Sequence, residues 1–218
     1  MSDFIDLSHT VSHGLITYKG LPAPVISDYL SREQSRERYA PGTQFHIGKI
    51  EMVANTGTYL DSPFHRYEDG ADLSQLELTS LANLEGVVVR VVHQERAISS
   101  EALNGIELSG KAVLFHTGWD KHWRTDKYSD GTHPFVTAEA AMRLVEAGAV
   151  LVGIDSFNID DTSTGERHAH SILLAKGIPI VEHMTRIQLL PDEGFKFFAV
   201  PVKVKQFGTF PVRAFAIV

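Results

Sequence analysis

Two stretches concentrate the side chains able to hold a cation or move a proton. The first is Asn55-Thr56-Gly57-Thr58-Tyr59-Leu60-Asp61-Ser62-Pro63-Phe64-His65, directly after a predicted strand. Pro63 disfavours helix at Ser62 and fixes its own φ, so Asp61 and His65 are expected on a stiff, non-helical turn. A plainer reading makes this an ordinary strand-to-loop turn, with Asp61 capping backbone amides and His65 packing on the surface. The second stretch is His168-Ala169-His170-Ser171-Ile172-Leu173-Leu174, followed by Gly177-Ile178-Pro179-Ile180-Val181-Glu182-His183. A carboxylate ending a short apolar strand, with imidazoles on the preceding helix or loop, can bring oxygen and nitrogen ligands to one centre. The plainer alternative is a salt bridge from Glu182 to a neighbour such as Arg186.

Composition narrows the chemistry. There is no cysteine, which excludes disulfide scaffolds, thiolate metal sites and cysteine nucleophiles, and leaves any metal to His and oxygen ligands. Lys plus Arg number 20 against 27 Asp plus Glu, a net charge of −7, and the basic residues are scattered without a patch, so nucleic-acid and membrane partners are not expected. The start, MSDFIDLSHT, has no basic region followed by an apolar stretch, and no apolar run is long enough to span a bilayer; a soluble cytoplasmic protein is the expectation. Phosphate loops, dinucleotide fingerprints and the serine-hydrolase elbow are absent.

The elements that must position these groups read as α/β. With 218 residues, 43% hydrophobic, and no internal repeat or linker, the chain is expected to form a single domain over 1–218. Apolar runs over 45–53, 86–93, 112–116, 149–154, 178–181, 195–204 and 212–218 predict strands, most too continuous for half-exposed ones, hence a sheet buried on both faces. A helix is expected over 138–147, capped by Thr137 and ended by Gly148, with Ala138, Ala141, Met142, Leu144 and Val145 on its apolar face. A polar, exposed helix should follow Ser31, which has capping-box spacing to Gln34. Residues 14–30, 119–136 and 158–168 read as site-building loops. A pocket wall of Phe64, Trp119, Trp123 and Tyr18 would suit a planar substrate. His93 and His116, at strand ends, read as structural.

Taken together, the two stretches resemble the cyclase family that contains the bacterial kynurenine formamidases and isatin hydrolase. The family pattern His-x-Gly-Thr-His-x-Asp-x-Pro-x-His reads here Asn55-Thr-Gly-Thr-Tyr59-Leu-Asp61-Ser-Pro-Phe-His65, and His-x-x-Leu-Leu…Glu-Asn-Leu-Thr reads His170-Ser-Ile-Leu-Leu…Glu182-His-Met-Thr. Asp6-Leu7-Ser8-His9, Leu114-Phe115-His116-Thr117-Gly118-Trp119-Asp120, Val152-Gly153-Ile154-Asp155-Ser156 and Leu190-Pro191-Asp192-Glu193-Gly194-Phe195 extend the likeness over nearly the whole chain.

The resemblance implies a mixed β-sheet with flanking helices, a closing C-terminal hairpin and the family's swivelling β/α architecture. It also implies a zinc or manganese site that activates water to open a cyclic or formyl amide, and a homodimer or homotetramer with the N-terminal segment near a partner's pocket. By position, Asp61, His170 and Glu182 match metal ligands and His65 the proton-moving histidine. Asn55 and Tyr59 replace two family histidines; Asn offers a carbonyl oxygen, and Tyr coordinates well only as phenolate, from a resting pKa near ~10. Three arrangements follow. One ion sits on Asp61, His170 and Glu182, the favoured expectation; or His46, His168 or His183 replaces the missing ligands, although strand parity turns His183 away and sets His46 opposite to Asn55; or the pocket works without metal through Tyr59, Asp61, His65 and Glu182. With one ion, Tyr59 could donate to the oxyanion. The expected activity is hydrolysis of a C–N or ester bond in a small, cyclic substrate, or the reverse ring closure. The alternatives are a metal-free small-molecule binding or isomerising protein, and an arylformamidase.

Overall fold

A computed structural model of the chain describes residues 3–92 and 95–218. In chain order the strands are β1 (Phe4–Asp6), β2 (Val25–Leu30), β3 (Ile47–Glu51), β4 (Tyr59–Asp61), β5 (Leu84–Arg90), β6 (Ala97–Ile98), β7 (Lys111–His116), β8 (Phe135–Val136), β9 (Leu151–Ile154), β10 (Ile180–Glu182), β11 (Glu193–Phe198), β12 (Thr209–Pro211) and β13 (Phe215–Ile217). The helices are α1 (Arg32–Arg36), α2 (Ala138–Glu146) and α3 (His168–Ala175), with single 3₁₀ turns between.

Nine strands form one mixed sheet in the order β1-β13-β11-β5-β7-β9-β10-β4-β12, parallel from β5 through β10 and antiparallel outside. A flat nine-stranded sheet would separate its edges by roughly 38 Å at ~4.8 Å per strand. Yet Pro211 on edge strand β12 and Phe215 on β13, next to the other edge, are four residue steps apart, which reach ~14 Å at most. The sheet must therefore curl. Leu7, just past β1, closes it by donating to Ala214 O and accepting from Thr185 N, beside a bridge between Ser8 and Met184.

Curling gives the sheet two cores. Val87, Val89, Val113, Phe115, Val152, Ile154 and Ile180 face α2 and α3, while Val88, Ala112, Leu114, Leu151 and Val181 alternate with them into the interior around Met184, Phe195 and Phe197. Both faces of the central strands are buried, as their continuous apolar runs predict. The fit leaves no room at Gly153, where a Cβ would lie 2.6 Å from Met184 Sδ.

Several elements differ from expectation. The predicted strand 45–53 shortens to β3, which pairs only with β2 in a separate ribbon and is exposed along its length; β2 itself lies inside the stretch read as loop. The apolar residues of β3 are interleaved with Gly48, Lys49 and Glu51, and none is covered by a second layer. Strand 195–204 stops at Phe198 and 212–218 shortens to β13; β12, which precedes it, crosses to the far edge beside β4, so β11 and β13 pair as neighbours without forming a hairpin. The end of predicted strand 86–93, including His93, lies outside the described residues. In α2, Met142 is 46% exposed, and Ala140 takes the buried place beside Ala141 and Leu144. Thr137 caps α2 by accepting from Ala140 N, and Ser31 and Gln34 form the capping box of α1.

Candidate metal centre and its cavity

The segment read as a turn is edge-proximal strand β4, antiparallel to β10 with Tyr59 opposite Glu182. Pro63 then starts a 3₁₀ turn, Pro63–His65, that brings His65 back over Asp61. Close approach of β12 holds this turn: Ser62 N donates to Gly208 O at 2.7 Å, and a Cβ on residue 208 would lie 2.5 Å from His65 N. His170 comes from the first turn of α3, and Glu182 from the carboxyl end of β10.

Proton bookkeeping fixes most of the roles. The Thr209 hydroxyl donates to Asp61 Oδ1, so its contact with His65 Nδ1 at 2.8 Å must be His65 Nδ1–H donating to Thr209 Oγ1, which leaves His65 Nε2 as the basic nitrogen. His170 Nδ1 donates to Asp160 Oδ2 at 2.6 Å. Asp160 also accepts from Ala169 N at 2.6 Å and His170 N at 3.1 Å, capping α3 from a distance. His170 Nε2 then faces Asp61 Oδ2 at 3.5 Å and Glu182 Oε1 at 3.8 Å. Asp61 is fully buried and its Oδ2 accepts no hydrogen bond.

Glu182 ends a directed chain of donors. Tyr59 OH donates to its Oε2 at 2.6 Å, so Tyr18 OH, 2.7 Å from Tyr59 OH, donates to Tyr59. His183 Nε2–H in turn donates to Tyr18 at 3.1 Å, and Tyr128 OH to His183 Nδ1 at 2.8 Å. Ile159 N donates to Glu182 Oε1 at 2.6 Å.

The electrostatics agree with these assignments. Burial, reinforced by the Glu182 charge, pushes the Tyr18 and Tyr59 phenols well above their ordinary pKa, so both stay protonated and Tyr59 is a donor rather than a phenolate ligand. Burial holds His183 neutral. Burial also opposes a proton on His170, but Glu182, Asp160 and Asp61 outweigh it and raise its pKa. Burial lifts Glu182 above the carboxylate range. Three carboxylates around one imidazole thus call for positive charge between them.

A divalent ion fits that demand. Ligands at ~2.1 Å in a tetrahedron stand ~3.4 Å apart, close to the 3.5 and 3.8 Å separations around His170 Nε2. Ligand atoms of Asp61, His65 and His170 also lie within 4.8 Å of one another.

Of the residues singled out in the sequence, Asp61, His65, His170, Glu182 and Tyr59 converge, and Tyr18 and Asn55 line the adjoining cavity of about 250 Å³. Tyr59 does not aim a free hydroxyl at that cavity, because the hydroxyl donates to Glu182. Phe64 and Trp119 do not line it; Trp119 Nε1 donates to Tyr128 O at 3.0 Å and its ring faces Lys127. Trp123 stacks on His9 at 4.0 Å. His46 pairs with Asp28 in the exposed ribbon and His168 with Glu166 at the surface, so neither replaces a ligand. His183 also stays outside the ligand cluster, but through a left-handed backbone (φ 54) after β10 instead of strand parity. Sequence reading missed Asp160, Thr209, Asn158, Arg66 and Arg167; Asn158, Asp160 and Arg167 fall within the 158–168 stretch read as a site-building loop, but nothing singled them out in it.

These features define a class: a single curled α/β domain with a histidine–carboxylate centre able to hold a divalent metal. The family model described as Putative cyclase matches residues 5–161, and the chain belongs to that family. It is 28% identical to a kynurenine formamidase of Bacillus cytotoxicus over 98% of this chain and 96% of that protein, and 26% identical to one of Bacillus cereus with the same coverage. Among solved structures it superposes on isatin hydrolase A from Labrenzia aggregata, bound to benzyl benzoate, with TM-score 0.85 at 21% identity, covering 100% of this chain and 94% of that one. A potential metal-dependent hydrolase with cyclase activity gives 0.80 at 22% identity, covering 100% and 98%.

Proposed function

We propose that the protein is a metal-dependent hydrolase that cleaves a C–N bond, as amide or cyclic amide, or an ester bond of a small substrate, with zinc or manganese as its ion. The observation that carries this reading is the convergence of Asp61, His65 and His170, whose ligand atoms lie within 4.8 Å of one another, with Glu182 Oε1 3.8 Å from His170 Nε2 and Asp61 Oδ2 buried without a hydrogen-bond partner. Asp61, His170 and Glu182 would hold the ion, with His65 beside them. When bound, a divalent ion supplies a Lewis acid and lowers the pKa of coordinated water toward ~7. His65 Nε2, left unprotonated because Nδ1–H is tied to Thr209, would accept a proton from the attacking water and pass it to the leaving nitrogen or oxygen. Asp160 keeps His170 in the tautomer that presents Nε2. Tyr18, Tyr59 and Leu21 supply the apolar wall for a ring.

Reconstitution tests this. Zinc- or manganese-loaded protein should carry about one equivalent of metal and cleave isatin or N-formylkynurenine, the second outcome making it an arylformamidase. Asp61→Ala and His170→Ala should lose both metal and turnover. Equal metal content in wild type and both variants would overturn the assignment. One observation favours the metal-free alternative: both Glu182 oxygens are already occupied, by Tyr59 and Ile159. That alternative requires wild-type protein to bind no ion.

The reading carries with it a homodimer or homotetramer in the cytoplasm. Exposed Val25, Ile26, Tyr29, Ile47 and Ile50 on the β2–β3 ribbon support self-association, which light scattering tests. No helix among the described residues is long and apolar enough to cross a membrane.

A further inference from the structure

The cavity is acidic at its floor and basic at its rim. Glu182 and His170 line the inner side, and Arg66 and Arg167 line the same cavity. Arg66 follows His65 directly, and its Nε donates to Ser171 Oγ at 3.2 Å. Arg167 precedes α3, and its Nη1 donates to the carbonyl oxygens of Asp161, Thr164 and Glu166 at 3.2, 2.9 and 2.6 Å. The two supports are tied together, because Tyr67 OH donates to Ser171 O at 2.8 Å.

Neutral acceptors therefore orient both guanidiniums without neutralising them. Arg90, Arg96 and Arg213 each meet an aspartate, whereas among the described residues Arg66 and Arg167 have no carboxylate within ion-pair distance. Their remaining N–H groups match the fork geometry that guanidinium offers a carboxylate. The rim attracts an anion, so a substrate carrying both a carboxylate and an amide is favoured with its carboxylate on Arg66 and Arg167 and its amide toward His170 and Glu182. A volume of about 250 Å³ lies below the ~300–1,000 Å³ of drug-sized sites and suits a single ring.

We propose that Arg66 and Arg167 form a carboxylate-binding rim that selects single-ring substrates bearing a carboxylate remote from the bond to be cleaved. The inference rests on the hydrolase reading for the bond broken, and on the cavity alone for the anion bound.

The test compares formanilide with 4-formamidobenzoate on zinc-loaded enzyme, and measures binding of 4-aminobenzoate and aniline by calorimetry. Wild type should favour the carboxylate in both assays, mainly through KM in turnover. Arg66→Gln and the double variant with Arg167→Gln should cut the preference by roughly ten- to a hundredfold, the loss of a charge-assisted hydrogen bond. Arg66→Lys should restore part of it. Arg66 bonds only one side-chain hydroxyl, so its variant keeps the test open if Arg167→Gln loosens the 161–166 loop. If neither formamide is cleaved but 4-aminobenzoate binds wild type and is weakened in the variants, the hydrolase reading fails and the rim stands. If 4-aminobenzoate binds no better than aniline, or its binding is unmoved by the substitutions, the rim is overturned whatever the turnover shows.

Discussion

Asp160→Asn separates a metal-positioning role from a merely structural one. The carboxylate of Asp160 accepts from His170 Nδ1 at 2.6 Å and from two α3 amides. The amide that replaces it has one acceptor oxygen. If that oxygen stays on the α3 amides, its NH₂ faces His170 Nδ1, which must then give up its proton and become the acceptor. The proton moves to Nε2, the nitrogen that faces Asp61 and Glu182, and a protonated Nε2 cannot ligate. Loss of such an outer-shell partner typically costs 10–100-fold in metal affinity, about 1.4–2.7 kcal/mol. Metal-free protein loses a charge-assisted bond as well, about 1.5–3 kcal/mol, which at 2–4 °C per kcal/mol for this size lowers Tm by roughly 3–12 °C. Zinc competition against a chromophoric chelator reads the first quantity, and thermal melting of chelator-treated protein the second. A zinc Kd within about threefold of wild type, alongside a lowered metal-free Tm, would show that the ion does not sit on His170 Nε2.

Three further substitutions probe the supports. Tyr59→Phe keeps the shape of β4 but removes the 2.6 Å donor to Glu182, while Tyr18 OH still reaches Phe157 O at 3.1 Å; unfolding at pH 7 should show about 1–3 kcal/mol of lost stability, and a change under about 0.5 kcal/mol would discount the chain of donors. Burial against Trp123 lowers the pKa of His9 to about 4, from an ordinary value near 6.5 in the unfolded chain. The unfolded state therefore binds the proton first, so the contribution of His9 is present above pH ~6.5 and is lost as pH falls toward 4, at up to about 1.4 kcal/mol per pH unit; denaturation of metal-free His9→Gln should give a shallower acid slope than wild type, and equal slopes refute this. Gly208→Ala sets a Cβ within 2.6 Å of His65 N and Cα, so β12 must retreat and carry Thr209 from Asp61; about 1–3 kcal/mol of destabilisation with weaker zinc binding is expected, and wild-type values for both would exclude the close packing.

What could be read in advance follows from how locally each feature is encoded. Asp61, His65, His170 and Glu182 stood out through the motifs that resemble the cyclase family, which lie in two short stretches around Pro63 and Leu173–Leu174; by residue type alone each stretch also had a plain structural reading. The central strands β5, β7, β9 and β10 were legible locally: a strand buried on both faces must be apolar at every position. Thr209 and Asp160 carry no such mark. Thr209 becomes the partner of both Asp61 and His65 only because β12 crosses to the far edge of the curled sheet, and that crossing follows from closure of the whole sheet, not from the composition of three residues.

The misreadings have the same origin. Parity arguments for His183 assumed that β10 continues, but the backbone turns left-handed one residue after Glu182, and the ring swings to join Tyr18 to Tyr128. The aromatic ring of Trp119 suggests a pocket wall, but its indole N–H needs an acceptor and takes Tyr128 O. Tyr59 shows the converse. Set against a ligand pattern it reads as a lost histidine, yet opposite Glu182 in an antiparallel pair its hydroxyl reaches the carboxylate directly. The substitution removes a nitrogen ligand and adds a donor to the remaining acid, which is the physical reason to expect one ion at this centre, held on the Asp61 and His170 side.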